Sequence, residues 1–153
     1  MLLDGVNHVA IITGDSARLH AFFREVFEAE VGPEVDAGPG MRLSFVHIGP
    51  HSELNVFEIE GNSESQRQTP MFGRGRIDHI GLQASSLDAF HTIRDRLIAR
   101  GATDGFVTDF GQIYSLFFVG PDGLEGEVCI ASPNARPGVV NPPGTPAPGY
   151  TTS

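Results

Sequence analysis

An internal repeat constrains this chain more than any other feature. Displacing the sequence by 71 residues, from His8 to His79, lays Asn7-His8-Val9-Ala10-Ile11 over Asp78-His79-Ile80-Gly81-Leu82. The agreement of residue types continues without a gap: Leu19 meets Phe90, Phe22 meets Ile93 and Val26 meets Leu97. A chain that repeats at such a period is assembled from two similar supersecondary units. Its 153 residues suffice for two small halves and a sizeable core.

Within each copy the hydrophobic period changes from two to about 3.6. Residues 6–13 and 77–84 are short apolar runs of strand character. Asp15-Ser16 and Ser85-Ser86 then offer side-chain oxygens to cap a helix start. Leu19, Phe22, Phe23, Val26 and Phe27 form one helical face, as do Leu87, Phe90, Ile93, Leu97 and Ile98. Gly32 and Gly101 follow these helices as candidate left-handed C-terminal residues. Strand-like segments come next, near Glu34-Val35, Leu43–Ile48 and Leu54–Ile59 in the first copy. In the second they lie near Gly105–Val107, Ile113–Val119 and Glu125–Ile130. Gly49-Pro50 and Gly120-Pro121-Asp122-Gly123 are turn chemistry between the last two strands of each half.

Each half therefore reads strand, helix, strand, strand, strand, an α+β architecture of two βαβββ modules. The expected boundaries are 1–61 for the first module, 62–76 for a linker and 77–131 for the second module. Residues 132–153, with six of the eleven prolines, form a tail that is extended or disordered unless it docks.

Charge narrows the partners. Ten Lys and Arg against nineteen Asp and Glu give a net charge of −9, which argues against binding nucleic acid or anionic lipid. The single cysteine, Cys129, makes no internal disulfide and fits a reducing cytoplasm. No apolar run approaches the ~20 residues that span a bilayer. The N-terminal MLLDGVNHVAII lacks the basic region and cleavage site of a signal peptide.

Strand alternation places His8, Ala10 and Ile12 on one face, and His79, Gly81 and Gln83 on the equivalent face of the second copy. The helices are expected on the opposite faces, so each remaining face carries a histidine beside a small residue, which leaves room for a ligand. Glu125, Glu127 and Cys129 share one side of the closing strand. A carboxylate in a run suited to burial needs a metal or a counter-charge to offset its desolvation. His8, His79 and Glu127 thus form a candidate two-histidine, one-carboxylate site for Fe(II), Mn(II), Zn(II), Ni(II) or Co(II). A lone strand histidine is more often a hydrogen-bonded structural residue, and Glu127 alone could pair with a cation. Recurrence separates these three from His20, His47, His51 and His91.

With these residues in view, the chain resembles the vicinal oxygen chelate superfamily, the glyoxalase, bleomycin-resistance and extradiol-dioxygenase group. The resemblance spans residues 5–131. Its carriers are Val6–Ala10, Asp78–Leu82 and Gly120-Pro121-Asp122-Gly123-Leu124-Glu125-Gly126-Glu127, where glycine replaces the family's first aspartate. It implies paired βαβββ modules in a curved mixed sheet around a metal cleft, with His8, His79 and Glu127 as ligands. A fourth ligand position falls on the last strand of module one, at Asn55 or Glu58. Strand parity makes the two exclusive. Glu58 is the better ligand and is adopted as the expectation, with Glu58 and Glu127 as the groups that move protons.

The resemblance also implies a divalent-metal enzyme that chelates vicinal oxygens of a small substrate and stabilises an enolate or oxyanion. Lyase or isomerase chemistry is favoured over ring cleavage, because Phe117 stands where extradiol enzymes carry tyrosine and Thr108-Asp109-Phe110 lacks their upstream histidine. A glutathione clamp would have Arg42, Arg74 and Arg76 to draw on, and Glu125 is a second proton carrier or a rim residue. Ala10 departs from the fosfomycin-modifying pattern. The alternatives are a metal-free drug-sequestering protein and an extradiol-type dioxygenase. A homodimer is the expected assembly, with modules closed within a chain or exchanged between chains.

Overall fold

The alternating runs of the first half become β1 (His8–Thr13), β2 (Val35–Gly38), β3 (Met41–Gly49) and β4 (Ser52–Ile59), with α1 (Ser16–Phe27) after the first strand. Those of the second become β5 (Ile80–Gln83), α2 (Leu87–Ala99), β6 (Val107–Asp109), β7 (Ile113–Val119) and β8 (Glu125–Ala131). The computed structural model describes residues 2, 5–67, 69–73, 77–138 and 141. Two four-stranded mixed sheets result, ordered β1-β4-β3-β2 and β5-β8-β7-β6. In each, the first strand runs parallel to the last and the other pairs are antiparallel. This is the α+β fold of two βαβββ modules.

The chain divides into two compact units. Unit 1 is Met1–Gln68 with Gly120–Leu124; unit 2 is Thr69–Val119 with Glu125–Ser153. In unit 1, Leu19, Phe22, Phe23 and Val26 of α1 are buried, as are Val46, Leu54 and Val56 of the sheet. Phe22, Phe23 and Phe27 form an aromatic cluster with centroids 5.4–5.8 Å apart. The Asp15 carboxylate caps α1 by accepting from Arg18 N at 2.9 Å. The helix ends on Glu28, which adopts φ 56° itself, so the left-handed terminus does not wait for Gly32. Gly32 is instead pressed against Phe45, to which its N–H donates through the carbonyl at 2.8 Å.

Unit 1 also holds the turn Pro121–Gly123, which sequence reading assigns only to the second module. The Asp122 carboxylate, 4 % exposed, accepts from Thr13 Oγ1, from Gly14 N at 3.2 Å and from Arg18. In unit 2, Phe90 and Leu97 of α2 are buried, and so are Tyr114, Leu116, Phe118 and Val128 of the sheet. Ser86 caps α2 by accepting from Ala89 N at 3.0 Å. Gly126 is required by packing: an added Cβ would lie 2.5 Å from the Phe118 ring. The start of the tail docks. Asn141 is buried against β6, and Arg136 N donates to Gly111 O at 2.9 Å. Among the described residues no helix is long and apolar enough to cross a membrane.

Candidate functional site

The second unit assembles its candidate residues from one pairing. β5 runs parallel to β8 with Gly81 opposite Glu127 and Gln83 opposite Cys129, while Phe117 of β7 faces Glu127 from the other side. His79 sits one residue before β5. Its Nε2 lies 3.3 Å from Glu127 Oε2, and its Nδ1 lies 2.8 Å from Asp78 Oδ2. Phe117 and Phe72 meet the imidazole edge-on, with centroids 5.8 and 6.4 Å away. The side chains of His79 and Glu127 are 24 % and 13 % exposed. Gly81 leaves the space beside Glu127 open, since a Cβ there would come to 3.6 Å from Oε2.

Both ring nitrogens thus face carboxylate oxygens. A neutral imidazole has one proton for two acceptors, so one contact is completed only by a further cation, a proton or a metal ion. An imidazole nitrogen and a carboxylate oxygen are also a fitting donor pair for borderline divalent metals.

Two neighbours complete this face. Burial, then the adjoining Glu127 charge and its hydrogen bond, push the Cys129 thiol up to about 12. It therefore stays protonated and donates to Glu127. Ser115, opposite Cys129, has a buried Oγ with no partner among the described residues.

Unit 1 repeats the arrangement with amides, Asn7 and Asn55, in place of the carboxylates Asp78 and Glu127. His8 Nδ1 lies 2.9 Å from Asn7 Oδ1, and the histidine is exposed. Ala10 pairs with Asn55, and Phe45 faces Asn55 from β3. Ala10, Asn55 and Phe45 thus match Gly81, Glu127 and Phe117 pair for pair. Asn55 is the counterpart of Glu127, and its buried Oδ1 has no partner among the described residues. Buried polar atoms are normally paired, so orphans on both histidine-bearing faces are notable.

Glu58 does not occupy that position. It pairs with Thr13 and Arg42, three residues from Asn55 and therefore on the face that packs α1. There its carboxylate accepts from Ser16 N at 2.7 Å and forms an ion pair with Arg42. Hydrogen bonds from Ser16, then Arg42, hold its pKa below the ordinary carboxylate value. Glu58 is a helix cap and ion-pair partner, which corrects the expectation of a ligand and proton carrier.

The remaining candidates have local partners. Glu125 accepts from Met71 N at 2.8 Å, Arg42 is shared between Glu34 and Glu58, and His20 Nε2 lies 2.7 Å from Ser44 Oγ. His47 lies 3.6 Å from Glu53. Arg74 and Arg76 lie outside the described residues. Among the described residues no three His, Cys, Asp or Glu side chains are gathered as a metal cluster. Sequence reasoning passed over Asn7 and Asp78, although both stand immediately before the repeated histidines. That shared spacing was the available signal.

The family model of the Glyoxalase/Bleomycin resistance protein/Dioxygenase superfamily matches residues 5–128. No curated protein matches the chain. Among solved structures, a glyoxylase/bleomycin resistance protein/dioxygenase domain from Frankia sp. EAN1pec is similar at 18 % identity and TM-score 0.70, covering 85 % of this chain and 99 % of that one. A glyoxalase family protein from Enterococcus faecalis is similar at 21 % identity and TM-score 0.61, covering 85 % and 100 %. The fosfomycin resistance protein FosX from Listeria monocytogenes, complexed with Mn(II) and sulfate, is similar at 17 % identity and TM-score 0.56, covering 88 % and 98 %. At these identities the structures speak for the fold, and the family match covers most of the sequence. The chain belongs to the Glyoxalase/Bleomycin resistance protein/Dioxygenase superfamily.

Proposed function

We propose that the protein is a divalent-metal-dependent enzyme that binds a small substrate through two adjacent oxygens and stabilises an enolate or oxyanion. The observation that carries this reading is the facing of His79 Nε2 and Glu127 Oε2 at 3.3 Å, with the other ring nitrogen already engaged by Asp78. His79 and Glu127 are the ligands from unit 2, and His8 is the third, supplied by the same chain or by a second copy in a homodimer. FosX, bound to Mn(II), is a metal-holding neighbour in support.

A bound divalent ion supplies Lewis acidity, stabilising negative charge as it develops on the substrate oxygens. The protein contributes the rest. Glu127 is the carboxylate able to exchange a proton with the substrate, and Phe117 and Phe72 flank the imidazole with apolar edges. Lyase or isomerase chemistry is favoured over ring cleavage. Phe117 brings no hydroxyl to the His79 face, and Tyr114 is 2 % exposed on the opposite side of β7.

The test is metal content after purification without chelator, followed by titration with Mn(II), Fe(II), Zn(II), Ni(II) and Co(II). About one ion per chain in the wild type, lost in His79→Ala, is the expected result. A protein that neither carries nor takes up any of these ions would overturn the reading and favour a metal-free sequestering protein.

A further inference from the structure

In both units the residue before the candidate ligand histidine engages its Nδ1, at 2.8 Å from Asp78 and 2.9 Å from Asn7. The two devices share a position but differ in chemistry. A carboxylate without a proton only accepts; Asp78 at 2.8 Å and Glu127 at 3.3 Å therefore compete for the one hydrogen of a neutral ring, and the shorter contact holds it on Nδ1, leaving the Nε2 lone pair toward Glu127. A carboxamide accepts through oxygen or donates through nitrogen after turning by half a rotation, so Asn7 suits either tautomer of His8. We propose that Asp78 is a positioning residue that locks His79 in the Nδ1–H tautomer, and that Asn7 leaves His8 adaptable. The His79 half is thus pre-set to ligate, and His8 adjusts to an ion already held.

Three further contacts fix the Asp78–His79 pair, and none of them recurs at His8 among the described residues. Asp78 Oδ1 accepts from Phe72 N, which fixes the carboxylate. Phe72 and Phe117 hold the ring edge-on from two directions. The His79 side chain is 24 % exposed, whereas His8 is exposed. A ring that has lost its rotational and tautomeric freedom before binding gives up less on ligation. Partners behind ligating histidines typically change metal affinity about 10–100-fold when removed.

The role of His79 as a ligand rests on the function proposed above; the tautomer lock does not, and the experiment separates them. Long-range ¹H–¹⁵N NMR of the metal-free protein, in buffer alkaline enough to neutralise exposed imidazoles, reads each ring nitrogen directly. His79 is expected with hydrogen on Nδ1 alone in the wild type, and with hydrogen shifted toward Nε2, which faces Glu127, in Asp78→Asn. Asn7→Asp is expected to convert His8 from a mixture to the Nδ1–H form. With Mn(II) as the probe, D78N is expected to bind about 10–100-fold more weakly and N7D more tightly. A wild-type His79 carrying hydrogen on Nε2, or tautomer populations unchanged in D78N, overturns the lock. A locked His79 in a protein that binds none of the metals supports the positioning role and overturns the metal reading instead.

Discussion

Asn55 and Glu127 occupy the same place in the two sheets, each opposite the small residue that follows a histidine by two and each faced by a phenylalanine. In one module the position carries a charge and in the other a neutral amide. The Asn55 Oδ1 is buried with no partner among the described residues, which costs folding free energy that an apolar residue would not incur. Asn55→Leu is therefore expected to raise stability by about 1 kcal/mol, read as a higher urea midpoint at unchanged slope. A loss of stability would show that the amide has a partner within the folded chain.

Glu127 has the opposite expectation. It sits beside His79 and Cys129, and among the described residues no lysine or arginine is paired with it. Glu127→Gln keeps the volume and removes the charge. Metal uptake is expected to disappear, while the stability of the metal-free protein changes by less than about 1 kcal/mol. Retained metal in E127Q, measured by elemental analysis after dialysis, would remove Glu127 from the ligand set.

The repeat made much of this legible. Its histidines, small residues and closing carboxylate are all marked by strand alternation, which is local and survives folding. The parity of β4 is not local. Leu54–Ile59 alternates acceptably on either face, and only pairing with β1 and β3 puts Asn55 beside Ala10 and Glu58 beside Thr13. Chemical preference for a carboxylate ligand pointed to the wrong residue, because Glu58 is used to cap α1. The turn at Asp122 was legible as a turn, but its partners Thr13 and Arg18 stand more than a hundred residues away.

Asp122 supports a sharper stability prediction. Its carboxylate is 4 % exposed and accepts from Thr13 Oγ1 and Gly14 N, whereas Arg18 is 52 % exposed. Thr13 is itself buried, so removing the acceptor leaves its hydroxyl only the longer contact to Asp15 O at 3.2 Å. Asp122→Ala is expected to cost about 2–3 kcal/mol, and Arg18→Ala less than about 1 kcal/mol, by urea denaturation. Equal losses would mean that the ion pair, not the buried hydrogen bonds, dominates.

Two groups on the α1 side set a pH dependence with one sign. Burial, then Arg24, lowers the pKa of His20 below 6.5, against the opposing pull of Glu34 and Glu58. As pH falls from 6.5 to that lowered value, the unfolded chain takes up a proton that the folded chain refuses, so stability declines. Glu58 is likewise lowered from 4.5, and its contribution is lost in turn as pH falls through its folded value. Urea midpoints should therefore drop in two stages on acidification. His20→Gln should flatten the upper stage and Glu58→Gln the lower, and an unaltered profile in either variant would contradict the assignment.

Asn141 extends the edge of β6: its N–H donates to Asp109 O at 3.2 Å, its Oδ1 accepts from Asp109 N at 2.7 Å and its Nδ2 donates to Val107 O at 3.2 Å. β6 has only three residues and pairs with β7 on one side, so Asn141 satisfies backbone groups that would otherwise face solvent. Asp109 is buried too, and its carboxylate accepts from Gly111 N at 2.7 Å with Arg136 at 3.8 Å. Asn141→Ala removes the two side-chain bonds but leaves the backbone one. It is expected to cost about 1–2 kcal/mol and to speed amide exchange at Asp109. Exchange at Asp109 as slow in N141A as in the wild type would show that the strand edge does not depend on the tail.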